Sequence, residues 1–123
     1  MEFSELKGKT LSKVEAEEGS ERIVFQEKFG EAFASEHMQD CCESVNVNKI
    51  EGDINNLIDS PILEAIEETF PQGEPDPATS NSWTWTRQTL RTEKGIVIFT
   101  WLGESNGYYG EIPYFGYTQS IEL

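Results

Sequence analysis

The sequence is poor in several residue types, and each shortage excludes a class of protein. It has one histidine and two cysteines in 123 residues, too few for a disulfide framework or a paired-cysteine zinc motif. No apolar run reaches the roughly 20 residues that cross a bilayer. Residues 1–6 lack the basic start and apolar core of a signal peptide. These absences predict a cytoplasmic protein with no membrane partner.

Basic residues are also scarce, with 9 Lys and Arg against 23 Asp and Glu, so the formal net charge is -14. Phosphate-binding loops and basic patches are missing, which argues against direct binding of nucleic acid, because its phosphates are neutralised by Lys and Arg. Such a surface favours a protein partner with a basic surface. We select Glu15, Glu17 and Glu18 as candidate partner-binding residues.

The length indicates a single domain over residues 1–123. Apolar residues alternate with polar ones along most of the chain, which predicts a twisted, mostly antiparallel sheet. Asp53 is suited to cap one helical turn over residues 54–58. Residues 62–69 fit a helix or a strand, and we favour the strand. The predicted fold class is α+β, with one or two short helices and a mobile loop at residues 71–81. Other strands are predicted over residues 10–18, 22–26, 45–50 and 96–102.

The only histidine and both cysteines lie within six positions, at His37, Cys41 and Cys42. Three soft donors in such a short segment are weak candidates for a metal site. Adjacent cysteines on a strand point to opposite faces, so they do not readily bind one ion. We therefore predict no metal and no cofactor, and we rank a metal- or thiol-dependent enzyme last.

Residues 103–107 match the Gly-x-Ser-x-Gly motif of α/β-hydrolases, with Ser105 at its centre. That motif requires a strand-to-helix turn and a nearby histidine and acid. Here a strand precedes it and a tyrosine-rich segment follows. We interpret the motif as a hairpin turn and predict no catalytic residue, so the protein is expected not to be an enzyme.

Aromatic residues are concentrated in the last third of the chain, where they exceed what a small core needs. Tyr and Trp are enriched at interfaces, since they bury a large area at low entropic cost. Four of them join the acidic residues as candidate partner-binding residues: Trp83, Trp85, Tyr108 and Tyr109. A small anionic ligand would instead use Arg87 and Arg91 together with Tyr108 and Tyr109.

Five segments carry a resemblance to a known family: residues 6–11, His37 with 39–45, 60–65, 83–85, and Trp101 with 103–109. Together they resemble an uncharacterised family of small bacteriophage and prophage proteins, a domain of unknown function. The resemblance implies a phage origin, hence the host cell cytoplasm, and a compact α+β domain. It supplies no reaction and no catalytic residues.

Two binding hypotheses remain open at this stage. The first is a non-enzymatic accessory protein that antagonises a host protein, such as a nuclease or an antiviral defence complex. The second is a protein that sequesters a nucleotide signal or a metal, in a pocket formed between subunits of a homo-oligomer. The negative net charge disfavours an anionic ligand and so favours the first.

Overall fold

The computed structural model describes residues 1–38, 43–71, 82–105 and 110–119. Within these ranges, eight strands form two four-stranded antiparallel sheets. Sheet 1 has the order β1-β2-β3-β8 and sheet 2 the order β4-β7-β6-β5. The strands are β1 (Leu11–Glu15), β2 (Arg22–Glu27), β3 (Ala32–Glu36), β4 (Glu43–Glu51), β5 (Glu64–Pro71), β6 (Ser82–Thr92), β7 (Gly95–Ser105) and β8 (Tyr114–Thr118).

The two sheets enclose one apolar core. Phe25 of β2 contacts Phe99 of β7 across the core, edge to face, with ring centroids 6.0 Å apart. A four-residue 3₁₀ turn, Phe3–Leu6, buries both of its terminal side chains. Phe3 meets the rings of Phe25 and Phe115 edge to face, so the N-terminal turn fills part of the space between the sheets.

The predicted α+β class is wrong, because the described residues contain no α-helix. Their only helical elements are the 3₁₀ turns Phe3–Leu6 and Ile54–Leu57. The second turn begins where predicted, and the Asp53 carboxylate accepts a hydrogen bond from the Asn55 amide. Four residues form a single turn, too few to offset the cost of nucleating an α-helix. The predicted single sheet is likewise corrected to two, and the fold is an all-β sandwich.

The predicted strands over residues 22–26, 45–50 and 96–102 are confirmed as parts of β2, β4 and β7. The ambiguous segment at residues 62–69 forms most of β5. Pro71, the first residue of the predicted mobile loop, ends β5, and residues 72–81 of that loop lie outside the described residues. Within the described ranges, no helix has the length and hydropathy needed to span a membrane.

Candidate functional site

The outer face of sheet 2 combines aromatic, aliphatic and charged side chains. Along β6, the even-numbered residues from Thr84 to Thr92 are buried and the odd-numbered residues are partly or fully exposed. Trp83, Trp85, Arg87 and Arg91 therefore lie on the outer face, since side chains alternate between the faces of a strand. The sequence-selected tryptophans and arginines are thus brought to one side of one strand.

The register of the neighbouring strands β5 and β7 adds further apolar side chains to this surface. Trp85 is paired with Phe70 of β5 on one side and with Leu102 of β7 on the other. Phe70 is 42% exposed and Leu102 is half-buried. We call the partly exposed apolar cluster on this side of sheet 2 the aromatic face. It consists of Phe70, Trp83, Trp85, Ile98 and Leu102.

A shallow depression of about 460 Å³ lies on the aromatic face. The Arg87 guanidinium carbon sits 5.1 Å from the centre of the Phe70 ring, a cation–π contact. This contact orients Arg87 beside Trp85. The depression is lined by Glu51, Phe70, Trp85, Arg87, Ile98 and Thr100.

The two arginines selected as ligand-binding residues and the nearby Lys94 do not converge on one point. Arg91 donates to the Glu64 carboxylate through Nε and one terminal nitrogen, at 3.0 and 2.7 Å. Lys94 Nζ donates to the Ile58 carbonyl at 2.7 Å. Arg87 and Arg91 are four residues apart on a strand, roughly 13 Å. Arg87 is therefore the basic residue of the depression, and Arg91 is held by its ion pair.

The acidic turn between β1 and β2 lies beside the aromatic face. The Gly19 amide donates to the Val47 carbonyl of β4 at 2.7 Å, which attaches the turn to the edge of sheet 2. A second shallow depression is lined by residues that include Gly19 and Leu102. Gly19 of the turn and Leu102 of the aromatic face therefore border the same depression. Glu15 is paired with Val24 of β2 and borders a different depression on sheet 1.

The three sequence-selected glutamates of this region have different roles. Glu15 and Glu17 are exposed and border a third depression next to β1. Glu18 is exposed too, but its Oε2 accepts a hydrogen bond from the Ile50 amide at 2.9 Å. Glu18 therefore stabilises the edge of β4. Glu15 Oε1 lies 3.7 Å from Lys13 Nζ in an exposed ion pair, and Glu17 is exposed.

His37 is buried, at 8% exposure, rather than available at the surface. Its Nδ1 lies 3.2 Å from the Ile112 carbonyl oxygen, which can only accept, so Nδ1 carries the proton. Nε2 faces the buried Glu43 carboxylate at 3.8 Å. The two side chains provide half of the four ligands typical of structural zinc, and the described residues contain no group of three or more ligating side chains.

Ser105 is a residue of β7, so the first half of the Gly-x-Ser-x-Gly motif is strand rather than the predicted hairpin turn. Its side chain is buried and donates to the Glu111 carboxylate. Ser82 and Thr84 donate to the same carboxylate, Thr84 at 2.9 Å. This arrangement ties the segment before β8 to the end of sheet 2.

Four sequence-selected residues lie outside the described residues: Cys41, Cys42, Tyr108 and Tyr109. Sequence reasoning also missed residues that the structure places at the site. Phe70 directly follows the ambiguous segment of residues 62–69, and its pairing with Trp85 follows only from the β5–β6 register. Arg87 was selected from the sequence only as a ligand-binding residue, and the alternation along β6 places it on the same face as Trp83 and Trp85.

The family comparison matches nearly all of this chain. A domain of unknown function, DUF7448, covers residues 4–115. The chain belongs to this family. No curated protein matches the DUF7448 chain, and no solved structure matches it either. The membership agrees with the resemblance to an uncharacterised family that the sequence indicated, and the match includes every described residue of the aromatic face.

Proposed function

We propose that this DUF7448 protein is a phage-type accessory protein that acts by binding, without catalysis, and antagonises a host protein. The observation that carries the proposal is the aromatic face of sheet 2, whose edge strand β4 contacts the acidic turn between β1 and β2 through Gly19. Tryptophans with neighbouring aliphatic side chains are the usual anchors of protein interfaces. The exposed carboxylates of Glu15 and Glu17 would attract a partner with a basic surface, such as the groove of a nuclease or of a defence complex.

The buried polar residues support a binding role over an enzymatic one. The Ser105 hydroxyl donates to Glu111, and that carboxylate also receives Ser82 and Thr84. A nucleophile needs an exposed hydroxyl next to a base. Ser105 is only 2% exposed and is better suited to holding the chain segment that contains Glu111.

Affinity capture from a bacterial host lysate tests the proposal. The immobilised protein is compared with Trp85→Ala and with a matched control, Tyr117→Ala, which truncates an exposed aromatic residue of sheet 1. We expect one host protein to bind the native chain and the control, and to bind Trp85→Ala at least about 30-fold more weakly, a loss typical of an interface anchor. Equal capture by all three chains would contradict a role for the aromatic face.

Charge reversal tests the acidic part of the surface. Glu15→Lys/Glu17→Lys should slow association with the captured protein and flatten its salt dependence, because the rim charges that steer the encounter are reversed. The control Glu31→Lys/Glu93→Lys changes the net charge equally, at exposed residues in other turns. If both double variants respond alike, only the net charge matters and the acidic turn is not part of the interface.

The depression beside Arg87 favours a second candidate function, the sequestering of a small nucleotide. Its volume falls within the range of about 300–1,000 Å³ typical of small-molecule sites. Trp85 would stack on a base, and Arg87 would contact a phosphate. The carboxylate of Glu51 on the same rim opposes an anion, so this candidate ranks second.

Native mass spectrometry distinguishes the two candidates. Protein purified gently from a bacterial host would carry extra mass under the sequestering hypothesis, and Arg87→Ala would lose it. Arg91→Ala is the matched control, because Arg91 is held by Glu64. A bare chain mass for the native protein would reject sequestering, and the same spectrum would report whether the protein forms a homo-oligomer.

A further inference from the structure

Strand β5 is an edge strand with one unpaired side. It pairs with β6 along its whole length. The 3₁₀ turn Phe3–Leu6 also packs against β5, but no other strand in the described ranges pairs with its second edge. Five consecutive residues, 66–70, are exposed. Successive side chains point to opposite faces, so exposure of all five leaves both faces of this stretch accessible.

The unpaired edge offers backbone hydrogen-bonding groups. Alternate residues of a strand point their amide and carbonyl groups to opposite edges. In residues 66–70, about two or three residues therefore direct both groups away from β6. An extended segment of another chain would pair with them and extend sheet 2 by one strand.

The charges of β5 select against a second copy of the same strand. Glu67 and Glu68 are adjacent and exposed, and none of the described ion pairs includes either. Glu67 accepts a hydrogen bond from the neutral Gln88 amide at 2.7 Å, and Glu68 lies opposite Arg87 in the β5–β6 register. Antiparallel pairing of two β5 strands near their centres would place these carboxylates opposite each other, which is destabilising. A strand with lysines would instead neutralise them.

The apolar residues of β5 determine which other side chains a partner strand would need. Ile66 and Phe70 are 44% and 42% exposed, and both share the outer face with Glu68. A strand lying alongside would place apolar side chains next to Ile66 and Phe70 and a basic side chain next to Glu68. On the opposite face it would place a basic side chain next to Glu67.

We propose that residues 66–70 of β5 bind an extended, basic peptide segment by strand addition to sheet 2. Recognition combines backbone hydrogen bonds at the unpaired edge, contacts of apolar side chains with Ile66 and Phe70, and lysine or arginine next to Glu67 and Glu68. This site is separate from the aromatic face except at Phe70, and it does not depend on the proposed antagonist function.

A capped synthetic peptide, Val-Thr-Lys-Lys-Val, tests the proposal with the full-length protein in solution. In antiparallel order it matches residues 70 to 66. We expect its addition to shift the amide resonances of β5 and to slow hydrogen exchange at two or three of its amides. Resonance shifts without slower exchange in β5 would overturn strand addition.

N-methylated peptides separate backbone pairing from attraction between charges. Methylation of alternate residues blocks the amides on one edge of the peptide only. One of the two alternately methylated peptides should bind at least about tenfold more weakly, and the other should bind like the parent. Equal affinities for both would show that the peptide binds by charge alone and would overturn the proposal.

Protein variants complete the test. Glu68→Lys should weaken peptide binding about fivefold or more, whereas Glu93→Lys, an equal charge change on the β6–β7 turn, should have a smaller effect. Equal weakening by both would again indicate attraction by net charge only. Trp83→Ala should leave peptide binding unchanged while it weakens capture of the host protein, so failure of either proposal can be recognised separately.

Discussion

Phe29 has a backbone conformation that is unfavourable for a residue with a bulky side chain. It lies in the turn between β2 and β3 with φ 60°, and its side chain is 99% exposed. Left-handed backbone is costly for a residue with a bulky side chain, and glycine removes that cost. The only described compensation is a cation–π contact, with Lys28 Nζ 5.7 Å from the ring centre.

We expect Phe29→Gly to raise the free energy of unfolding by about 0.5–1 kcal/mol, because glycine tolerates positive φ. Phe29→Ala is the matched control. It removes the ring but keeps the Cβ atom, so it should gain little. Urea unfolding followed by circular dichroism measures both. A gain for alanine equal to that for glycine would assign the effect to the exposed ring instead of the backbone.

Glu111 is a second residue whose contribution to the free energy of unfolding can be measured. Its carboxylate accepts hydrogen bonds from three hydroxyl groups, of which Thr84 and Ser105 belong to buried side chains. Glu111→Ala should lower the free energy of unfolding by about 2–4 kcal/mol, since buried donors lose a charged acceptor. Glu104→Ala, an exposed neighbour in β7, should change it by less than about 0.5 kcal/mol. Similar values in urea titrations would contradict the anchoring role.

At the scale of elements, two glycines within strands differ in the space available for a side chain. A Cβ atom on Gly103 of β7 would overlap the Glu111 carbonyl, whereas one on Gly116 of β8 would meet nothing within 4 Å. Gly103→Ala should destabilise the fold by about 3 kcal/mol or more, because the segment before β8 must move away. Gly116→Ala should be neutral or slightly stabilising. Thermal unfolding of the two variants measures the contrast, and equal melting temperatures would refute the close approach.

Local patterns in the sequence predicted individual strands better than their assembly. The alternation around Trp83 and Trp85 placed both on one face, and Asp53 marked the start of the second 3₁₀ turn. The division into two sheets could not be predicted in this way. It depends on β8 pairing with β3 across about 80 residues of sequence, and no period along the chain encodes such a long-range pair.

Only part of the candidate site could be predicted from the sequence, because long-range strand pairing brings some of its residues together. Trp83, Trp85 and Arg87 lie on one strand, where the alternation of side chains relates them directly. Phe70 joins them only through the register of β5 against β6. Glu18 was predicted as a binding residue, yet it bonds the Ile50 amide. The charge pattern of the sequence alone does not reveal which carboxylates accept hydrogen bonds from backbone amides.

At the scale of the whole molecule, the net charge of -14 opposes compactness. We expect the melting temperature to rise with sodium chloride, because salt screens repulsion among carboxylates. Glu15→Lys/Glu17→Lys adds four charge units and brings the net charge from -14 to -10, so its melting temperature should depend less on salt. Differential scanning calorimetry at several salt concentrations measures both. A native melting temperature that falls with salt would mean that ion pairs outweigh the repulsion.

The order of strands in sheet 1 also governs how this protein can form during synthesis. Strands β1, β2 and β3 emerge early from the ribosome, but their fourth neighbour, β8, follows the whole of sheet 2. Until residues 114–118 emerge, the β3 edge is unpaired and Phe33 lacks the stacked ring of Phe115. A nascent chain therefore exposes an apolar strand edge until β8 emerges, and the negative charge concentrated in residues 1–79 should oppose association of this edge with other chains.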